Sequence, residues 1–251
     1  MKQLGAFEQS REEIMKLFFN YLLITLLIAV ISACAGTKKE SRDQTLRRNI
    51  AQAYGFQYFN QVEKIQYTFN VKKGETQISR FWIWEPKANQ VSFKATDSRE
   101  TVTYNRNDLS DSSPTNLRNI DAWFINDSYW LLFPFHVVWD SQTIVEDVGR
   151  KKLPMGEGKA RCVIVSYPAT GGYTPGDAYD LFLDDDYRLT QWVYRHAGSE
   201  TPTRIATWEE HRSLGPLTVS LNHQGDDPNF RVWFTTVGVK MVGIDSWIFA
   251  E

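Results

Sequence analysis

Two periods alternate along this chain, one near 3.6 residues and one of 2, and together they mark out its elements. From Asp43 the apolar positions Leu46, Ile50, Ala53 and Tyr54 share one face of a helix, with Asp43 as its cap and Gly55 at its end. The period then drops to 2. In VEKIQYTFNV, Ile65, Tyr67, Phe69 and Val71 alternate with polar residues, as on a half-buried strand. Turn residues at Lys73-Gly74 and Pro86-Lys87-Ala88-Asn89 separate further runs at 78–84, 91–93 and 101–104, which predicts an antiparallel meander. Ser113-Pro114 opens a second helix, Ser as N-cap, with Leu117, Ile120 and Phe124 at i, i+3 and i+7. Strands resume at 160–167, 178–183, 189–195, 204–208, 217–221 and 230–237, with Asp184-Asp185-Asp186 as a hairpin turn. No repeat or compositional break divides the chain, so the pattern predicts a mainly β, α+β fold: one strongly curved antiparallel sheet with a few helices on one face.

Two apolar runs fit neither period. NDSYWLLFPFHVVWD at 126–140 has about eleven uninterrupted apolar residues, too few to cross a bilayer. Its local signals predict a short helix through Tyr129–Phe133 capped by Asn126 or Asp127 and stopped by Pro134, then extended chain at Val137-Val138-Trp139. LFFNYLLITLLIAVI at 17–31, preceded by Lys16, has the length of a signal-peptide core. It ends in Ile31-Ser32-Ala33-Cys34, which resembles a bacterial lipobox. That resemblance implies lipid on the Cys34 thiol and cleavage just before it. The chain then divides into a signal peptide at 1–33, a small polar lipid-anchored tether at 34–44, and a folded domain at 45–251. The acidic pair Glu12-Glu13 suits a signal peptide poorly, so a start at Met15 is expected. Ala35 follows the lipid site where an inner-membrane retention Asp would stand, which in a Gram-negative host implies the periplasmic side of the outer membrane.

Composition changes this picture little. A net charge of −2 and a pI near 6.1 give no electrostatic basis for nucleic acid as a partner. With Cys34 lipidated, Cys162 stands alone in an apolar run and reads as a small buried hydrophobe. All nine Trp lie beyond residue 80, so the folded region is dense in large stiff apolar groups.

Two segments carry a resemblance to a known family. N-D-x-Y-W-L-L-x-P-F at 126–135 and Y-T-P-G-D-x-Y-x-L-F-x-D at 173–184 resemble a group of bacterial lipoproteins related in fold to the lipoprotein carrier LolA and its receptor LolB. The resemblance implies a half-open β-barrel whose concave face is covered by helices, with an apolar interior able to hold acyl chains.

Motifs for chemistry are sparse. The sequence has no G-x-S-x-G elbow, no phosphate-binding G-x-x-x-x-G-K-[ST] loop and no H-E-x-x-H. Gly156-Glu157-Gly158-Lys159 reads as a turn. The histidines at 136, 196, 211 and 223 share no ligand spacing, and Glu209-Glu210-His211 reads as a solvated strand end. In Gly171-Gly172-Tyr173-Thr174-Pro175-Gly176-Asp177 the glycines and the Pro-Gly pair specify tight turns, and Asp177 suits accepting backbone N–H bonds. No metal or cofactor is called for. The aromatic residues Trp82, Trp84, Trp123, Trp130, Phe133, Phe135, Trp139 and Trp192 either line a cavity or fill a core. The first alternative makes the protein a non-enzymatic, membrane-anchored binder of an apolar ligand, an acyl chain or a lipoprotein. The second makes it a structural or partner-binding envelope protein. A hydrolase using Asp177 and a histidine is the weakest reading.

Overall fold

The computed structural model describes residues 41–96 and 98–251; the signal peptide, Cys34 and most of the tether lie outside the described residues. Helix α1 (Arg42–Gln52) starts the fold. Asp43 does not cap it. It sits in the first turn, its carboxylate 3.0 Å from the Arg47 guanidinium one turn on. After a 3-10 turn (Phe56–Gln61) come β1 (Val62–Lys73), β2 (Thr76–Glu85), β3 (Gln90–Ala95) and β4 (Val102–Asn105). Helix α2 (Thr115–Trp139) follows, then β5 (Ile144–Lys152), β6 (Lys159–Ser166), β7 (Ala178–Leu183), β8 (Leu189–Arg195) and β9 (Arg204–Thr207). The chain ends with β10 (Glu209–Leu214), β11 (Leu217–Gln224), β12 (Phe230–Met241) and β13 (Ile248–Phe249).

The sheets are antiparallel and do not close. Hydrogen bonding divides them in two where continuous pairing was expected. One sheet runs β10-β11-β12-β1-β2-β3-β4, with β13 also beside β12, and the other runs β5-β6-β7-β8-β9. A bridge between Ala206 and Gly225 joins the two. Alternation sorts the faces. Tyr67 of β1 stands opposite Trp82 of β2, which stands opposite Phe93 of β3, and this rung points into the core. In the second sheet Val163, Leu181, Trp192 and Ala206 make the equivalent rung. The opposite face of that sheet carries Cys162, buried with Ala160, Phe182 and Val193 in a smaller cluster, and burial pushes the thiol up to about 12. Cys162 thus packs as a hydrophobe.

Helix α2 differs most from expectation. It starts after Pro114 with no side-chain cap, so Ser113 does not serve as one. It then runs unbroken for 25 residues through Pro134 to Trp139. Asn126 and Asp127 lie inside it and 137–139 is helical, so neither the predicted cap, the stop nor the extended segment occurs. An interior proline costs a helix about 3 kcal/mol. Here burial on every side offsets that cost: Leu131, Leu132, Phe133, Phe135 and Val137 are all core residues. A helix that is apolar all round is one buried all round, which is why 126–140 shows no single stripe.

Candidate functional site

Two buried aspartates fix the first half of α2 against the first sheet. Asp127 accepts from Arg80 Nε (2.7 Å) and Nη2 (2.6 Å), from Trp82 Nε1 (2.9 Å) and from Asn126 Nδ2 (3.0 Å). Burial outweighs these donors and raises its pKa. The Arg80 guanidinium also lies over the rings of Phe69 and Trp123. Asp121 accepts from Arg106 Nε (2.7 Å), from the Tyr104 hydroxyl (2.9 Å) and from the Tyr173 hydroxyl. Tyr173 belongs to the turn-rich segment 171–177, so Asp121 ties that loop to the helix.

The second half of α2 borders a cavity of about 730 Å³. Its apolar wall is Phe59, Trp84, Phe124 and Trp139, with Trp139 edge-on to Phe59 at 4.8 Å and to Trp84 at 5.8 Å between ring centres. The turn after the helix, Asp140–Thr143, and the loop 167–174 complete it. Arg47 holds that turn in place by donating to the Val137 carbonyl (2.8 Å) and to Thr143. A polar group stands among the rings. Asp140 Oδ2 accepts from the Tyr167 hydroxyl (2.7 Å) and the Tyr129 hydroxyl (2.8 Å), and His136 Nδ1 lies 3.2 Å away. Partial burial alone would raise the Asp140 pKa, but His136, Tyr167 and Tyr129 together hold it below the usual carboxylate value. Burial, reinforced by Asp140 itself, raises both tyrosines, so they remain donors.

A second cavity of about 400 Å³ lies between α2, β1, β8 and β12, lined by Phe69, Trp130, Trp192, Tyr194, Arg204 and Phe230 among others. Ile125, Tyr129, Tyr173 and Thr174 border both cavities. Sizes of this order suit small ligands.

The eight aromatic candidates separate into three groups. Trp84 and Trp139 line the larger cavity, and Trp130 and Trp192 the smaller. Trp82, Phe133 and Phe135 are fully buried and line neither of these two cavities, packing in the core instead. Trp123 is 44% exposed and lies against Phe93 and Arg80, outside both cavities. Asp177 and His196 do stand within hydrogen-bond reach, at 3.1 Å. The same carboxylate, however, accepts from the Tyr194 hydroxyl (3.0 Å) and the Ala197 amide (2.8 Å), where Ala197 has a positive φ. This is the work of a turn-stabilising residue. His211 bonds the Tyr54 hydroxyl, Glu209 accepts from Asn222, and Asp184 accepts backbone amides of its own turn.

Asp140, Tyr129, Tyr167, Asp121 and Arg106 were absent from the sequence-derived candidates. One signal was available for the first: His136 and Asp140 stand at i, i+4 where the apolar run ends. Asp121 carried none, because Tyr104 and Arg106 reach it from around the end of β4 and Tyr173 from a distant loop.

No protein-family model and no curated protein matches the chain. Among solved structures, it is similar to the crystal structure of a DUF1329 family protein from Desulfovibrio piger. The TM-score is 0.43 at 9% identity, over 77% of this chain and 90% of that one. Among the described residues, no helix is long and apolar enough to cross a membrane.

Proposed function

We propose that this protein is a lipid-anchored lipoprotein of the outer membrane, facing the periplasm, and that it binds an apolar chain within its half-open sheets in the manner of LolA and LolB relatives. The observation that carries the binding reading is the 730 Å³ cavity walled by Phe59, Trp84, Phe124 and Trp139. Those rings offer apolar surface to an acyl group, and burying it is favourable at roughly 25 cal/mol per Å². The lipobox-like Ile31-Ser32-Ala33-Cys34 supports the anchor, which would hold the cavity near a source of such chains. The test is titration of the mature domain without its lipid with a fluorescent long-chain ester. Saturable binding is expected, weakened about tenfold or more by Trp139→Asp, since a charge in an apolar site is strongly disfavoured. A well-folded wild type that binds no such probe would leave the partner-binding alternative. The exposed ring of Trp123 is the observation that favours that alternative.

A further inference from the structure

The charges around the larger cavity are unequal in a way that specifies the head of its ligand. Among the described residues, Arg106 is the only arginine or lysine in the lining, and buried Asp121 matches it at 2.7 Å. Arg47, behind the turn, is matched by Asp43 at 3.0 Å. Asp140 is the only carboxylate in the lining; no arginine or lysine meets it among the described residues, and its one ion-pair partner there is the His136 imidazole at 3.2 Å, a cation only when protonated. Its donors are two tyrosine hydroxyls and His136, all on Oδ2, which leaves Oδ1 without a hydrogen bond among the described residues. The rings of Tyr129, Tyr167, Trp139 and Trp84 line the same cavity, the two tyrosines reaching Asp140 through their hydroxyls.

We infer that the cavity takes a cationic amphiphile, a primary alkyl ammonium whose N–H groups meet Asp140 Oδ1 and whose chain lies along Trp84 and Trp139. The inference rests on the proposed apolar-chain binding and adds the head-group class. Aromatic rings attract a cation through their quadrupoles, and a carboxylate in partly desolvated surroundings strengthens that attraction. A carboxylate head, by contrast, would face Asp140 with like charge, while Arg106 is already held by Asp121.

Displacement of the fluorescent ester by decylammonium, decanol and decanoate, each below its micelle concentration, tests this. Wild type should bind decylammonium about tenfold more tightly than decanol, an increment of about 1.4 kcal/mol, and decanoate most weakly. Asp140→Asn should reduce the preference for decylammonium over decanol to about none, and Asp140→Glu should restore part of it. Equal binding of the three by wild type overturns the head-group assignment and leaves chain binding intact. A folded Asp140→Asn that keeps the preference for decylammonium overturns that assignment as well. Displacement of a bound ester by none of the three overturns the head-group assignment alone, whereas an ester that does not itself bind overturns both readings.

Discussion

His223 carries its imidazole in a box of rings, with Trp208 at 4.5 Å, Trp130 at 5.4 Å and Phe234 at 5.9 Å between ring centres. Nδ1 lies 3.1 Å from the Thr207 carbonyl, and Nε2 has no hydrogen-bond partner among the described residues. Burial drives its pKa down to about 3, against 6.5 for a free side chain, although the Thr207 and Trp130 backbone favour the charged ring. Between these two values the unfolded chain binds a proton that the folded chain does not. Stability therefore falls as pH drops from about 6.5 toward about 3. In His223→Phe that component is absent, so the loss of melting temperature between about pH 7 and about pH 4 should be visibly shallower than in wild type. An unchanged slope would place the acid sensitivity elsewhere. The box could not be read from the sequence: its rings come from α2, β12 and the residue after β9, and no local spacing unites them. Asp127 is similar. Its neighbours in the chain suggest a helix cap, and only the approach of Arg80 and Trp82 makes it a buried anchor.

At the level of elements, alternation made the central strands legible. β1 and β2 show it because one face meets the core. β5 and β10 are missing from the predicted runs for the complementary reason. Each is the outer strand of its sheet, mostly exposed and rich in charge, so no apolar period was imposed on it. The end of α1 turns on Gly55, where φ is +86° and an added Cβ would meet the Pro216 carbonyl oxygen at 2.3 Å. A left-handed non-glycine residue costs about 1–2 kcal/mol by itself, and the backbone collision adds to it. Gly55→Ala should therefore lower urea-unfolding stability by more than about 2 kcal/mol. Gly74→Ala, also at positive φ but with nothing within 4 Å of its Cβ, serves as the control and should cost only the conformational part. Equal losses in the two variants would mean that the α1–β11 junction yields more readily than its geometry indicates.

Across the whole molecule, α2 and the loop tied to it by Tyr173 partition the interior. On one side lies the cavity with Asp140, on the other the cavity beside Trp130, and Tyr129 and Tyr173 stand between them. The proposed anchor belongs to this scale as well. Cys34→Ala should move the protein from the membrane fraction to the soluble one on cell fractionation, and persistent membrane association would count against lipidation at Cys34. Residue order alone was enough to establish a mainly antiparallel β domain, the places of most of its strands, and the gathering of tryptophan beyond residue 80. These are local or compositional properties, written in periods of two and in turn residues. It took packing in three dimensions to keep Pro134 inside a continuous helix, to make Phe133 and Phe135 core while Trp84 and Trp139 border open space, and to bring Asp140 to two tyrosines and a histidine. An aromatic side chain carries the same pattern signal in either setting. Which setting it occupies depends on what the opposite sheet places against it.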